Sequence, residues 1–308
     1  MQLPLPRRNL SMTQREEIAF YLFMSPWILG LIFLFGGPIL ASLGLSFSNW
    51  SGVNVESLEF IGLENYRILW DDKLFWISLQ RTLYYAVGSV VFGVAAALGV
   101  AMLMNQKMPG VTIFRTIFYL PSITQGVAIA IMWIWIFNPT VGLLNYFLAL
   151  FGIVDSPSAG PGWLTSQHWS MPALILMSLW QIGGTMIILL AGLQGVPESL
   201  YEAAKIDGAN KWQEFRNVTL PMLSPSLFFV IVIGTVNSFQ IFTNVRVMTE
   251  GGPGTSTYVY VYHLYLTSFR YFKMGVGSAM AWILLIIVGV LIWFQFRVGS
   301  RMVHYEGQ

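Results

Sequence analysis

Residues 196–221 read V-P-E-S-L-Y-E-A-A-K-I-D-G-A-N-K-W-Q-E-F-R-N-V-T-L-P. Seven of them carry charge, whereas the flanking stretches 156–195 and 222–245 carry none. Each flank is long enough to hold the roughly 20 apolar residues that a bilayer crossing needs. A charged island between two such runs is a loop joining two membrane spans, so the reading of this stretch sets the fold class as an all-α polytopic membrane protein.

The local chemistry of the loop predicts a short helix over 198–206. Pro197 suits a first helical turn, Glu198 and Glu202 lie toward the positive end of the helix dipole, and Gly208 after Asp207 is a natural stop. Nine residues span about 13 Å and are too few to hold a helix alone in water, so this one must dock on something. Leu200, Ala203 and Ala204 share a face at helical spacing, and the two alanines leave room for a close neighbour. Trp212, Phe215 and Val218 follow at three-residue spacing and are expected to bury an apolar edge, before Pro221 and Pro225 mark the entry to the next span. A solvated connector between spans is the plainer reading of the same residues.

Outward from the loop, the chain repeats this alternation. Six stretches lack Asp, Glu, Lys and Arg: 18–55, 82–106, 116–154, 156–197, 217–245 and 274–296. Spans are expected near 19–47, 84–104, 117–137, 172–194, 227–245 and 277–296, giving six transmembrane helices over 19–296 between an N-terminal segment 1–18 and a tail 297–308. Pro26, Gly36, Gly37 and Pro38 predict a kink or early break in the first span, whose apolar run is too long for a cleaved secretory signal. The apolar segment 141–153 is too short to cross and reads as an interfacial helix, followed by a turn-rich loop with Pro157, Gly160, Pro161 and Gly162.

Basic residues orient the bundle. With the N-terminus inside, cytoplasmic segments hold ten Lys and Arg against six outside, which places both termini in the cytoplasm. Composition agrees with lipid as the main solvent: 56% of the 308 residues are hydrophobic and 10% are charged, with a mean hydropathy of +0.64. A net charge of +2 gives no basis for nucleic-acid binding. Cysteine is absent, and His168, His263 and His304 lack metal-ligand spacing, so each reads as an ordinary surface or interface residue and no metal site is expected.

Uncharged polar residues mark a candidate solute path, because such groups in a span face the bundle or a cavity. Ser178, Gln181 and Thr185 in the fourth expected span, and Asn237, Gln240 and Asn244 in the fifth, are each spaced i, i+3, i+7. Each trio forms a stripe on one side of its helix. With Ser238 and the rings of Trp180 and Phe239 beside them, they suit a sugar, whose hydroxyls need partners and whose C–H faces pack on rings. Interhelical hydrogen bonding is the competing role for the same side chains. Trp163, His168, Trp169 and the loop 246–273 face outside, as an aromatic belt or a docking surface for a solute-binding protein, with the belt favoured for the tryptophans.

The pattern Glu202-Ala203-Ala204, three residues, Gly208, nine residues, then Val218-Thr219-Leu220-Pro221 resembles the EAA motif of permease subunits in binding-protein-dependent ABC importers. Val218 stands where that family usually has isoleucine. Residues 249–253, Thr-Glu-Gly-Gly-Pro, look like the maltose and glycerol-phosphate type of carbohydrate permease. The resemblance implies the type I importer fold and a coupling loop over 196–225. Its helix would sit in a groove of an ATPase subunit, with Glu202 as the anionic contact, Ala203 and Ala204 as the packing face, and Asp207 and Gly208 at the turn. It further implies a second homologous permease, two ATPase subunits, an extracytoplasmic solute-binding protein, and solute contacts from the helices bearing Ser122 and Gln125, Ser178 to Thr185, and Asn237 to Asn244.

The chain has no G-x-x-x-x-G-K-[ST] phosphate loop, so ATP and Mg²⁺ are expected on the partner ATPases, with no cofactor held here. An ion-coupled secondary transporter would ordinarily place an ionisable group inside the bundle, and none of the six expected spans contains Asp, Glu, Lys or Arg. A membrane enzyme would need a nucleophile with its base or a metal centre, and neither H-E-x-x-H nor G-x-S-x-G occurs. A pure scaffold is the remaining alternative. The expectation is a multi-pass cell-membrane permease importing a sugar, with a non-sugar solute such as glycerol phosphate as the alternative cargo.

Overall fold

The structure is a computed structural model that describes residues 11–54, 58–106, 108–124 and 126–299. Among the described residues the chain is helical, apart from an isolated antiparallel bridge between Ser48 and Phe60. Three helices, Met12–Ser46, Lys73–Met104 and Met274–Gly299, are long and apolar enough to cross a membrane singly. Three bent pairs pass if each counts as one span: Val111–Ile123 with Gly126–Ile136, Ser170–Gln181 with Gly183–Gln194, and Lys211–Met222 with Ser224–Phe239.

The Lys73–Met104 helix is the hub. Its 32 residues rise about 48 Å, and it packs against Ser170–Ser178, Gly183–Gln194, Ser224–Phe239 and Tyr260–Tyr265. Small residues permit that centrality: Ala97 and Ala101 are wholly buried against Met186, Leu189, Leu193 and Val230. Lipid tails are as apolar as leucine, so close packing of this kind, rather than exclusion of water, holds membrane helices together. The helix starts eleven residues before the expected 84, at an Asp72 cap whose Oδ1 accepts from the Leu74 N–H at 2.8 Å. Lys73 and Arg81 made the window look unsuitable for a span, but charge near a helix end only decides which turns lie in the hydrocarbon.

The long first helix begins at a capping box, with Ser11 and Gln14 exchanging side-chain and backbone bonds, and runs through Pro26. The break expected near Gly36, Gly37 and Pro38 takes the form of a π turn over Leu31–Gly36, after which Gly37–Ser46 continues as α-helix. Pro38 has no N–H to give the turn before it, so a local change of hydrogen-bond register costs little there.

Two expected spans are interrupted rather than straight. The 172–194 helix breaks at Leu179–Gln181 and bends by 51°. Gly183 permits the bend's close packing, since an added Cβ would strike the Phe118 carbonyl oxygen of the neighbouring pair. The 227–245 span ends as helix at Phe239, with Gln240 in the turn and a separate helix over Thr243–Met248. Apolar periodicity cannot foresee such breaks, because irregular backbone survives at membrane depth wherever a cavity or neighbouring helices satisfy it. The 117–137 expectation is likewise realised as two helices rather than one.

The segment 141–153 contains one eight-residue helix, Leu143–Leu150, about 12 Å long and too short to cross. Asn145 fixes it from a fully buried position: its Nδ2 donates to the Pro139 and Pro161 carbonyls at 3.1 and 3.2 Å, and its Oδ1 accepts from Trp163 Nε1 at 2.7 Å. Trp163 is therefore a core residue beside Trp133 and Phe137, and not part of an aromatic belt. Trp169 packs edge-on against it and stays partly open.

Candidate functional site

Two regions carry the residues singled out by the sequence. In the loop, the helix spans Glu198–Ile206 as expected, with Glu198 in the first turn and Lys205 in the last. Pro197 sits one position earlier than expected, at the N-cap with φ −58° and ψ 132°. Asp207 caps the C-terminus, and Gly208 takes φ +77°, a left-handed conformation that any Cβ would strain. The chain then re-enters helix at Lys211–Glu214 through a second capping box, Asn210 with Gln213. Lys211 Nζ meets the buried Glu214 carboxylate at 2.8 Å. Tyr201 ties the two arms together, its hydroxyl 3.1 Å from Thr219 Oγ1.

Leu200, Ala203, Ala204, Asp207, Gly208 and Val218 line a concavity of about 410 Å³ between the arms. Glu202 projects to solvent outside it, and no residue of the Glu198–Ile206 helix is buried. The apolar edge expected to be covered is covered in part, with Phe215 and Val218 half-buried. Trp212 is 67% exposed and stacks only on Phe215, ring centres 5.5 Å apart, and Ile206 is 87% exposed. The spacing is as expected, but among the described residues Trp212 and Ile206 are left largely uncovered.

The second region is a cavity among the helices. One lobe, about 190 Å³, is lined by Tyr85 and Ser89 from the hub helix, Ser178, Gln181 and Thr185 from the 51° pair, and Asn237 and Ser238 from Ser224–Phe239. A second lobe, about 300 Å³, is lined by Tyr85, Gln181, Asn237 and Asn244 with Gly126 and Phe242. Among the described residues neither lobe is lined by Asp, Glu, Lys, Arg or His. The helix breaks thus keep five of the six stripe residues around this space.

Other expected path residues lie elsewhere. Gln240 is exposed in its turn and lines neither lobe. Trp180 turns away to pack edge-on against Trp133, 6.1 Å between ring centres. Ser122 donates to the Tyr119 carbonyl at 2.6 Å and also stands off the cavity. Gln125 lies outside the described residues. Of these, Gln240 is the one expected on a polar stripe, and the helix end at Phe239 leaves it in a turn off that face.

Residues 90–304 match the family described as binding-protein-dependent transport system inner membrane component. The chain belongs to that family. It is 39% identical to the probable ABC transporter permease protein YesP of Bacillus subtilis, over 96% of this chain and 94% of that protein. It is 34% identical to the probable starch degradation products transport system permease protein AmyD of Thermoanaerobacterium thermosulfurigenes, over 90% and 92% of the two. In three dimensions it matches a chain of a bacterial ABC transporter involved in the import of the acidic polysaccharide alginate, with a TM-score of 0.80 at 22% identity, covering 94% of this chain and 98% of that one. That likeness shows that the two chains share a fold. The family is one of membrane transport components and not of enzymes.

Within this permease, the contribution of the hub helix to the cavity is what the sequence reading missed. Tyr85 and Ser89 form an i, i+4 polar pair inside the charge-free stretch 82–106, a spacing that could have found them. His263, expected as an ordinary surface or interface residue, is buried. It is 5% exposed, with Nδ1 2.9 Å from the Tyr258 hydroxyl and Nε2 3.2 Å from Asp72 Oδ2, the latter without hydrogen-bond alignment. Burial pushes its pKa below the usual histidine value, against the opposing pull of Asp72. Among the described residues no group of His, Asp and Glu is placed to hold a metal ion.

Proposed function

We propose that this permease imports a neutral sugar by ATP-driven alternating access. The observation that carries the reading is the single cavity onto which three separate helices turn hydrogen-bonding side chains without an ionised group. A sugar leaving water must exchange its hydroxyl contacts for others, at a cost of about 1–3 kcal/mol for each one left unmade. Gln181, Asn237, Asn244 and Thr185 offer such contacts, whereas a phosphate or carboxylate would find no cation among the lining residues. The name of the starch-product relative points the same way.

The loop supplies the drive. The Glu198–Ile206 helix is too short to persist without a partner, its concavity is open, and its sequence resembles the EAA segment. An ATPase subunit is the partner that satisfies these facts together, with Glu202 as a charged contact, Ala203 and Ala204 as the close-packed face, and Asp207 with Gly208 setting the reversal. Two ATPases bind ATP and Mg²⁺, a second homologous permease completes the pathway, and an extracytoplasmic binding protein delivers solute. The three helices and three bent pairs form six spans over residues 19–296, with segment 1–18, loop 196–225 and tail 297–308 in the cytoplasm.

Reconstitution with the cognate ATPase, second permease and binding protein tests this. ATP-dependent accumulation of labelled neutral sugars is expected, and Glu202→Lys is expected to lower uptake several-fold with membrane insertion unchanged. Accumulation that proceeds without ATP, or a Glu202→Lys complex with wild-type coupling, would sink the proposal.

A further inference from the structure

The Glu198–Ile206 helix has no buried residue, so packing alone does not set its angle to the rest of the chain. Beside it lies the concavity of about 410 Å³, lined by Ala203 and Ala204 of the helix and by Asn217 and Val218 of the second arm. Its C-terminal end leaves through the left-handed turn at Gly208. With few buried contacts and open space alongside, such a helix tilts readily when its outer face is pushed.

Tyr201 crosses from the helix to the second arm. It is partly buried, with its hydroxyl 3.1 Å from Thr219 Oγ1. Thr219 gives its single hydroxyl proton to the Glu214 carbonyl at 3.4 Å, so the tyrosine is the donor of the bond between the arms. The acceptor end is firmly placed. Thr219 is itself buried, its carbonyl accepts the Leu223 N–H at 2.9 Å, and Leu223 is wholly buried in one apolar cluster with Ala97 and Ala101 of the hub helix. From there Ser224–Phe239 runs to Asn237 and Ser238 at the cavity.

We infer that Tyr201 is a positioning residue for coupling: its bond to Thr219 braces the Glu198–Ile206 helix against the arm leading into Ser224–Phe239, so that displacement of the helix by a bound ATPase reaches the cavity wall instead of being lost as tilt. Coupling is carried by hydrogen bonds and rigid elements in contact with one another. A phenol suits the brace, because its ring holds the hydroxyl at a fixed reach with far less rotamer freedom than a lysine or glutamine. The inference rests on the loop being the ATPase contact, and the test separates the two claims.

The chain contains no cysteine, so a thiol introduced by Asn237→Cys is unique within it and reports on the cavity wall. In the assembled complex in proteoliposomes, its modification by 2-aminoethyl methanethiosulfonate is read by the mass of this chain, without nucleotide and with ATP and vanadate. The difference between the two rates measures how much motion arrives. Tyr201→Phe and Thr219→Val, each added to this background, are expected to shrink that difference about fivefold, with the amount of ATPase subunit co-purified unchanged. Thr219→Ser, which keeps the hydroxyl, should preserve it, and Tyr201→Phe with Thr219→Val together should do no more than either alone.

An undiminished difference in Tyr201→Phe, beside a diminished one in Glu202→Lys, overturns the brace and leaves the loop as the ATPase contact. Loss of the ATPase subunit from the Tyr201→Phe complex would make Tyr201 a docking contact, and a Thr219→Ser complex as impaired as Thr219→Val would deny the bond its role; either overturns the inference. If ATP changes nothing at position 237 while Tyr201 is intact, the coupling reading falls and the brace with it.

Discussion

The loop around Gly208 and the cavity around Tyr85, Gln181 and Asn237 are built on opposite principles. The loop's functional face comes from residues close in sequence, leaves its short helix without a buried residue, and is open on the side where a partner would sit. The cavity gathers side chains from residues 85 to 244, which come from the hub helix, from helices packed on it and from the start of Thr243–Met248. On the proposed reading the loop is a surface that another chain completes, whereas the solute pathway is complete only when distant helices are already in place. Damage to the loop should therefore uncouple the motor while the solute site survives, and damage to the cavity should do the reverse.

The largest effect is expected from emptying the cavity wall. Gln181→Ala combined with Asn237→Ala removes two hydrogen-bonding partners and should lower sugar uptake about a hundredfold, while ATP hydrolysis by the assembled complex stays near wild type. Uptake in vesicles and ATPase activity on the same sample check this, and a parallel fall in both would erase the distinction between the regions. Gly208→Val attacks the loop. A β-branched side chain at φ +77° is strained by roughly 1–2 kcal/mol, so coupled uptake should fall about tenfold at unchanged membrane content, measured as solute moved per ATP.

A smaller effect sharpens the view of the loop as a marginal structure. Tyr201→Phe removes the bond to Thr219, and hydrogen exchange at the amides of 198–206 should quicken about fivefold, with the cavity helices unaffected. The smallest effect lies outside both regions. Because burial depresses the His263 pKa, the unfolded chain takes up a proton at higher pH than the folded one. Stability is then fully present above the unfolded value of about 6.5 and declines as pH falls below it toward the folded pKa. The thermal midpoint of the purified protein should drop on acidification through that window, and His263→Gln should flatten the slope without changing uptake relative to ATP hydrolysis at neutral pH.

Legibility followed the same division. The helix limits at Glu198 and Ile206 and the turn at Gly208 were readable because caps, dipole preferences and glycine conformations act over a few residues. The capping box at Asn210 was equally readable and was passed over. Ser178, Gln181, Thr185, Asn237 and Asn244 are legible from polarity and spacing, but Gln240 shares that spacing only on a straight helix and the helix end at Phe239 leaves it in a turn, while Trp180, expected beside the stripe, packs on Trp133. Trp163 and His263 looked like surface residues because a polar or aromatic side chain declares its burial only through partners distant in sequence, here Asn145 and Asp72.

By itself the sequence determined that the chain lives in lipid, where its charged island lies, and that the island ends a short helix at a left-handed glycine. Those are consequences of composition and of interactions among near neighbours. Only the tertiary structure decided that Tyr85 joins Gln181 and Asn237 around one space. Which side chains meet across a bundle depends on where helices bend and how closely small residues such as Ala97 and Gly183 let them approach, and that is a property of the packed whole.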